Sequence, residues 1–377
     1  MPEMFSMKIL KRIILTLVVI ALSLGLTTFI AMQQNSFGKL PSGKRLERIK
    51  KSPNYRDGSF QNIYKTEMLA EGVSYPKMMV EFFGKGVDRE PTTLLPSVKT
   101  DLKSITTIEP LIIWFGHSSY LIKADGKNIL VDPVFSERAS PFQFMGSKNY
   151  PIKTPYTIAD FPDIDMVIIS HDHYDHLDYN SILQLKSKTK FFCVGLGVGA
   201  HLEHWGVDST KVKEFDWWQT KELFPGFELT STPARHFSGR GFKRNQTLWS
   251  SYVLKTPSKK VYIGGDSGYD TSFKTIGEKY GPFDLSILEC GQYDKQWPFI
   301  HMMPEETARA AVDLSGNVLL PVHWAKFTLG LHPWKEPAER VTKAAELLNL
   351  AVSTPLIGEV VEFNKIFPNK KWWEEIK

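Results

Sequence analysis

The chain has 377 residues and a formal net charge of +5, with 42% hydrophobic and 12% aromatic residues, which is typical of a globular protein with a real core. Only two cysteines occur, Cys193 and Cys290, so a cysteine-built zinc site and a disulfide framework are excluded. Both cysteines follow apolar runs, which predicts buried thiols. The positive charge gathers near the N-terminus rather than over the whole chain, and this argues against nucleic-acid binding.

An apolar segment at residues 13–32 predicts a transmembrane anchor. It reads IILTLVVIALSLGLTTFIAM and carries no charge over about the 20 residues that a spanning helix needs. Residues 1–12 form a basic flank, and no A-x-A pattern follows the segment, so an uncleaved single-pass anchor is favoured over a cleaved signal peptide. Basic residues follow the segment too, but the closer upstream cluster favours an extracytoplasmic catalytic domain.

Residues 33–105 are polar and interrupted by prolines, which predicts a linker and an N-terminal extension that lies against the main domain. A basic run near the start of this stretch contains Lys39, Lys44, Arg45, Arg48, Lys50 and Lys51. Two interpretations remain open for them. They form either a solvated linker or a patch that is attracted to anionic lipid headgroups.

Residues 106–364 alternate short strands with helical stretches, and residues 365–377 are left as a C-terminal tail. LIIWFG, SSYLIKA, NILVDP, MVIIS, FFCVG, WSSYVLKT, KVYIGGD and LSILEC are brief apolar runs closed by Gly, Asp or Pro, as expected of buried strands. YNSILQLKSK, PEETARAAVDL and PAERVTKAAELLNL carry helical periodicity. Strands dominate early and mix with helices later, which predicts an α+β fold, a four-layer αββα sandwich.

The stretch VIISHDHYDHLD (167–178) is the strongest functional signal. The predicted strand MVIIS delivers His171, and His173 follows two residues later, so an extended chain would present both imidazoles on one side. Asp175 and His176 come next, where the chain turns into a helix. Imidazole nitrogens and carboxylate oxygens are preferred ligands of zinc in catalytic sites, so H-x-H-x-D-H predicts one metal at the first pair and a second at the other.

Three further residues at predicted strand ends complete a two-metal site. His236 lies in STPARHFSGR, Asp266 in KVYIGGDSG and His323 in VLLPVHWAKF. Taken alone, either histidine could pack in the core or make an ordinary hydrogen bond, and an aspartate beside glycine could simply form a turn. Together they supply two metal shells, with Asp266 suited to bridging metals about 3.5–4 Å apart.

The order of these residues resembles the metallo-β-lactamase superfamily over residues 108–364. SPNYRDGSFQN, WFGHSSYLI, ISHDHYDHLD, PARHFSGRG, NQTLWSSYVL, GGDSGYD and HMMPEE are similar, more narrowly, to the branch of N-acylphosphatidylethanolamine-hydrolysing phospholipases D and their bacterial relatives. The resemblance implies that His171, His173 and His236 hold one zinc, that Asp175, His176 and His323 hold the other, and that Asp266 bridges the two. It also places His301 beside the site. Lys243 and Arg244 depart from the family, in which an acidic residue is frequent there.

The expected chemistry is hydrolysis of a phospholipid-like phosphodiester. Two zinc ions, or other divalent metals, lower the pKa of a shared water from about 15.7 towards about 7, and the hydroxide attacks phosphorus. His301 then acts as general acid for the leaving oxygen or positions the substrate.

Alternatives remain open at this stage. A hydrolase of the same fold could act on lactones, β-lactams or RNA, and a membrane-tethered protein could hold metal without catalysis. His117 either supports a metal ligand or makes an ordinary buried hydrogen bond, and His201 and His204 are assigned to surface or edge packing. The oligomeric state is open, a homodimer included.

Overall fold

The N-terminal helix stands apart from the rest of the fold. The structure, a computed structural model, describes residues 2–84 and 86–376. Helix α1 (Pro2–Ala31) contains the segment Met7–Ala31, which is long and apolar enough to cross a membrane. The most apolar part of this segment is not buried against the rest of the protein. All but the last residue of the apolar segment predicted at 13–32 lies inside this helix, and residues 2–12 of the basic flank belong to the same helix.

The segment between α1 and the main domain contains more regular structure than its prolines suggested. It holds α2 (Gly43–Ile49), the hairpin of β1 (Tyr55–Arg56) and β2 (Ser59–Phe60), and α3 (Tyr75–Phe83). Ile49 and Phe60 are buried in a cluster with Trp217, Leu248 and Trp249 of the main domain. The extension is therefore packed onto the main domain.

A first seven-stranded sheet has the order β16-β3-β4-β5-β6-β7-β8. Its strands are β3 (Leu111–Trp114), β4 (Tyr120–Ala124), β5 (Lys127–Val131), β6 (Ile164–Ile169), β7 (Thr189–Gly195), β8 (Val212–Phe215) and, from the end of the chain, β16 (Val360–Glu362). Pairing is antiparallel from β16 to β5 and parallel from β5 to β8.

The second sheet repeats this plan with the order β15-β14-β13-β12-β11-β10-β9. Its strands are β9 (Thr220–Phe224), β10 (Phe227–Thr232), β11 (Ser251–Lys255), β12 (Lys260–Ile263), β13 (Leu285–Glu289), β14 (Val318–Val322) and β15 (Ala351–Val352). Pairing is antiparallel from β9 to β12 and parallel from β12 to β15.

Helices cover the outer face of each sheet. The remaining helices are α4 (Tyr179–Leu185), α5 (Gly199–His204), α6 (Ser272–Tyr280), α7 (Pro304–Asp313) and α8 (Glu336–Leu347). Apolar residues of α4 and α5 share a buried cluster with the outward side chains of the first sheet, whereas α7 contacts β13 and β14, and α8 contacts β15. The predicted αββα sandwich is confirmed.

Residue alternation along the strands explains the four layers. Ile112 and Trp114 of β3 belong to the core between the sheets, whereas Leu111 and Ile113 belong to the cluster under the outer helices. Successive strand residues point to opposite faces, and both faces are buried, so the strand reads as an unbroken apolar run. Cys193 and Cys290 are fully buried in the central core, as predicted.

The segment 365–376, expected to be a tail outside the hydrolase domain, contributes to the main core. Trp372 and Trp373 are at most 1% exposed, and Trp372 stacks on Trp324 with ring centroids 5.2 Å apart. Two indoles of this size bury a large apolar area, so this segment helps to hold the main core together.

Candidate metal centre

Polar side chains collect where strands of one direction end. His117 follows β3, the motif 171–176 follows β6, and His236, Asp266 and His323 follow β10, β12 and β14 in turn. The pairings give β3 and β6 one direction within the first sheet, and β10, β12 and β14 one direction within the second. The carboxyl ends of such strands meet at one edge of an open sheet, which is where ligands are bound.

The loop after β6 turns tightly and so presents both pairs of the motif. The amides of His176 and Leu177 both donate to the carbonyl of His173, over 3.1 and 2.8 Å. Asp178 then caps α4 by accepting from the amide of Asn180 over 3.1 Å. The turn therefore carries Asp175 and His176 back over the strand end that bears His171.

A first cluster consists of His171, His173 and His236. Nε2 of His171 lies 2.8 Å from Nδ1 of His173, and that atom lies 3.3 Å from Nε2 of His236. The three atoms are close enough to hold one metal ion. This is the triad that the resemblance assigned to one zinc.

A second cluster consists of Asp175, His176 and His323, joined by His117. Oδ2 of Asp175 lies 3.5 Å from Nε2 of His176 and accepts from Nε2 of His117 over 2.9 Å. His117 is completely buried. It therefore supports a candidate ligand directly, and this answers the alternative that the sequence left open.

Asp266 lies between the two clusters. Its Oδ2 atom is 3.1 Å from Nε2 of His176 and 3.8 Å from Nε2 of both His171 and His236. Its Oδ1 atom is 3.2 Å from Nδ1 of His323. One carboxylate thus reaches both clusters, as a bridging ligand would.

The orientation of the donor side chains suits a metal ion. Nδ1 of His236 donates to the carbonyl of Ile300 over 2.8 Å, and Nδ1 of His176 lies 2.8 Å from Asp132, so each ring turns Nε2 into the cluster. Nε2 of His176 and Oδ1 of Asp266 are buried and make no hydrogen bond to any described residue. Buried polar atoms that converge without hydrogen bonds are the arrangement that a cation would satisfy.

Four of the five histidine donors favour the neutral form, whereas, against the effect of burial, the carboxylates of Asp266, Asp175 and Asp132 raise the pKa of His176. Burial lowers the pKa of His171, His236 and His323 well below the ordinary range, and that of His173 to about 4. Burial raises the pKa of Asp266 to about 6, against the opposing effect of His176. Neutral imidazoles are the ligating form, and a cation would stabilise the buried carboxylate.

Sequence reasoning missed three residues that hold the candidate ligands in place. Asp132 follows β5 and contacts His176, Ser118 lies 3.0 Å from Nδ1 of His323 through Oγ, and Glu289 ends β13. The sequence offers one signal for two of them, since Asp132 and Glu289 lie near the ends of the predicted strands NILVDP and SILEC. Supporting groups of this kind orient metal ligands.

His301 lies beside the clusters and pairs with Glu289. Nδ1 of His301 is 2.8 Å from Oε2 of Glu289, and its ring is 5.1 Å from that of His236 and 5.3 Å from that of His323. Burial raises the pKa of Glu289 and lowers that of His301, so both charged forms are disfavoured inside the protein. The Nδ1 contact leaves Nε2 as the free nitrogen of the ring.

An apolar cavity of about 380 Å³ opens onto the site. Its wall includes five of the seven candidate ligands, His301, Arg244 and a group of large apolar side chains. The apolar lining is Met68, Leu69, Met78, Met79, Phe82, Phe237, Trp297, Ile300 and Leu329. Helix α3 supplies three of these residues, so the N-terminal extension forms part of the cavity, which sequence reasoning did not foresee.

The other histidines and the basic run serve the fold. His201 is buried and accepts the backbone N–H of Lys39 at Nδ1 over 3.0 Å, whereas His204 is exposed. Arg45 and Arg48 form ion pairs with Glu214, and Arg45 also pairs with Glu203. The basic run is therefore partly neutralised rather than a free patch.

Comparison with known proteins agrees with this geometry. Residues 127–324 match the family model described as the beta-lactamase superfamily domain. The chain is 40% identical to an uncharacterized protein of Mycobacterium tuberculosis over 85% of this chain and 87% of that one. It is 32% identical to N-acyl-phosphatidylethanolamine-hydrolyzing phospholipase D 1 of Caenorhabditis elegans over 66% of this chain and 74% of that one.

A solved structure supports the fold. The metallo hydrolase Igni18 of Ignicoccus hospitalis superposes with a TM-score of 0.51 at 23% identity, over 67% of this chain and 97% of that one. The family match covers more than half of the chain, and the predicted histidines and aspartates converge at one end of the sandwich. The chain therefore belongs to the metallo-β-lactamase superfamily and is a metallo-hydrolase.

Proposed function

We propose that this protein is a membrane-anchored dinuclear zinc phosphodiesterase that cleaves phospholipid-like substrates in the manner of a phospholipase D. The observation that carries the proposal is the position of Asp266, whose carboxylate reaches both clusters at the floor of an apolar cavity. The similarity to the C. elegans phospholipase supports the choice of a phosphodiester.

The residues divide between two metal positions. His171, His173 and His236 would hold one ion, Asp175, His176 and His323 the other, and Asp266 would contact both. When bound, such a pair supplies an activated water and neutralises charge on a phosphoryl oxygen. All four ligand side chains around each position belong to the loops after β6, β10, β12 and β14, so little reorganisation is needed on binding.

His301 would handle the proton of the leaving group. In the hydrolysis, a bond forms between the water oxygen and phosphorus, and the bond from phosphorus to the headgroup oxygen breaks. The headgroup leaves as an alcohol, which requires one proton. A neutral Glu289 would donate to Nδ1 of His301, so Nε2 would carry the ring proton that passes to the leaving oxygen while Glu289 passes its own proton to Nδ1.

The cavity favours a substrate with a long apolar part. Methionine and aromatic side chains dominate its wall, and α3 places Met78, Met79 and Phe82 opposite the candidate ligands. Such side chains accommodate flexible acyl chains without requiring hydrogen bonds. Helix α1 would hold the enzyme in the membrane that contains such a substrate, with the catalytic domain on the extracytoplasmic side.

The test combines metal content with substrate choice. The full chain in detergent would be analysed for bound metal and assayed with N-acylphosphatidylethanolamine, bis-p-nitrophenyl phosphate, a lactone and a β-lactam. We expect about two zinc ions per chain and release of N-acylethanolamine, both greatly reduced in Asp266→Asn. Turnover of only the lactone or the β-lactam would contradict the assignment of a phosphodiester substrate. Full metal content without any turnover would contradict the assignment as an enzyme.

A further inference from the structure

The chain leaving α1 runs directly against a loop that borders the active-site cavity. A Cβ built on Gly241 would lie 3.0 Å from Cε of Met32, which is one residue beyond the end of α1. The guanidinium of Arg240 donates to the carbonyl of Ser36 over 2.7 Å, and Nε1 of Trp205 donates to the carbonyl of Asn35 over the same distance. The segment that follows α1 is thus in direct contact with the loop that follows His236, and the bond from Arg240 to Ser36 is buried.

Exposed apolar side chains flank this junction. Phe242 is 82% exposed and adjoins Gly241. On another loop, Phe144 is 77% and Met145 53% exposed, and that loop is tied to the same segment because the ring of Phe142 lies 5.7 Å from that of Phe37. These large apolar side chains lie on two separate loops beside one helix end. Their exposure indicates a surface that contacts an apolar partner or an apolar phase.

Two cations accompany these side chains. Lys243 and Arg244 are exposed, and no carboxylate of residues 2–84 or 86–376 forms an ion pair with either. This contrasts with Arg45 and Arg48, which Glu203 and Glu214 neutralise. Aromatic and cationic side chains together match the interfacial zone of a bilayer that contains anionic lipids.

We infer that Phe144, Met145, Phe242 and Lys243, here called the anchor-side surface, insert into the headgroup region of the bilayer that α1 spans. The inference rests on the anchor assigned under the proposed function. Met7–Ala31 has 25 residues, or roughly 37 Å of helix at about 1.5 Å per residue, so its end reaches the interface, and the two loops next to that end would lie there as well.

The consequence concerns access to the site. Arg244, one residue beyond the anchor-side surface, lines the cavity that contains His173 and Asp266. Only a few residues separate the bilayer contact from the cavity wall. The cavity mouth would therefore lie at the lipid surface, and substrate would enter from the same bilayer without crossing water.

A fluorescent probe tests the surface without requiring turnover. Cys193 and Cys290 are fully buried, so a thiol-reactive NBD dye would label Phe242→Cys selectively in the full chain. The matched control is Leu347→Cys, which is 79% exposed at the end of α8, just before the start of β15 and so at the end of the sandwich opposite the site. Val19→Cys, inside α1, reports on the anchor itself.

In vesicles of phosphatidylcholine and phosphatidylglycerol, we expect a blue-shifted emission at position 242 and at least twofold stronger quenching by shallow spin-labelled lipids than at position 347. The inference about the anchor-side surface would fail if the dye at position 242 had the same emission wavelength and quenching as the dye at position 347 while the dye at Val19→Cys was quenched. An unquenched Val19→Cys would overturn the anchor and the surface together.

Turnover provides an independent comparison. Lys243→Glu should reduce hydrolysis of phospholipid in anionic vesicles at least fivefold and leave hydrolysis of bis-p-nitrophenyl phosphate in detergent unchanged. Equal rates on vesicles would contradict the inference. If the parent chain cleaves no phosphodiester, the proposed function fails, and the probe measurement still decides the surface.

Discussion

Asp132 accepts a hydrogen bond from Nδ1 of His176 through its Oδ2 atom, over 2.8 Å, and both side chains are almost fully buried. The same carboxylate accepts from the amide and the hydroxyl of Ser170, over 2.8 and 2.7 Å. Asp132 is thus fixed by β6 and in turn fixes a candidate metal ligand. A carboxylate in this position selects the tautomer of the imidazole and strengthens its ligating nitrogen.

Replacing Asp132 should therefore weaken metal binding. We expect Asp132→Asn to lower metal affinity or turnover about 10- to 100-fold, because the amide supplies no charge to the imidazole. Competition with a fluorescent zinc chelator would measure the affinity. Asp165→Asn is the matched control, since Asp165 is also a buried aspartate of the first sheet but pairs with Lys190, away from the clusters. Equal losses in the two variants would contradict the orienting role.

The role of His301 can be separated from simple positioning by varying the leaving group. His301→Ala should slow cleavage of a substrate with an alkyl alcohol leaving group by about 10²- to 10⁴-fold, because that alkoxide needs a proton. Cleavage of a p-nitrophenyl ester should fall much less, because p-nitrophenolate leaves without one. Comparison of kcat for the two substrate types is the measurement. A similar loss for both would assign His301 to positioning.

Removing the metal should destabilise the fold as well as stop turnover. A ligand that binds only the folded state adds about 4 kcal/mol when its concentration exceeds Kd a thousandfold. We expect the melting temperature to fall on dialysis against a chelator and to recover when zinc is restored. Asp266→Asn should show a smaller response. Identical melting curves for the stripped and restored protein would contradict the metal assignment.

Lys326 gives a prediction for pH. Burial lowers its pKa to about 7, against the effect of Asp178, and Nζ donates to the carbonyl of Val134 over 2.6 Å. In the unfolded chain a lysine has a pKa of about 10.4, so between pH 7 and 10 the unfolded state binds more protons. The free energy of unfolding should therefore rise with pH in this range.

The matched variant for this prediction is Lys326→Met, which keeps the length of the side chain without its charge. From pH 7 to pH 9 the parent should gain about 2 kcal/mol relative to the variant. Urea unfolding of both proteins in detergent at the two pH values is the measurement. Parallel pH dependence in the two would show that Lys326 stays charged in the fold.

The C-terminal segment should be essential for stability. Trp372 is 1% exposed and stacks on Trp324, the neighbour of His323. Trp372→Ala should lower the free energy of unfolding by about 3–5 kcal/mol through the cavity that it leaves. Phe144→Ala, at a 77% exposed aromatic, should change it by no more than about 0.5 kcal/mol. Equal effects of the two substitutions would contradict the buried position of Trp372.

The strands and the candidate ligands could be predicted because both leave strong local patterns. Runs such as MVIIS are apolar enough to identify a buried strand, and histidines at strand ends form a specific spacing. Helix α3 is not predicted because Pro76 favours a loop in the sequence, whereas in the structure it occupies the first turn of the helix, where a proline costs no hydrogen bond.

The supporting residues could not be predicted, because their partners are distant in sequence. Asp132 meets His176 across 44 positions of the chain, and Ser118 meets His323 across 205. From the sequence alone, an aspartate before a proline is expected to form a turn, and only the folded chain shows that Asp132 contacts His176. The contribution of residues 365–376 to the core is hidden for the same reason, since Trp372 packs on Trp324, which follows the distant strand β14.

The division of the donors between the two sheets has a consequence for the assembly of the protein. His171 and His173 come from the first sheet and His236 from the second, and the other cluster is divided in the same way between Asp175, with His176, and His323. Each ion would thus be bound by side chains from both halves of the sandwich and would link them. During synthesis the first half cannot complete either shell, so metal capture would be a late event that locks two halves already docked.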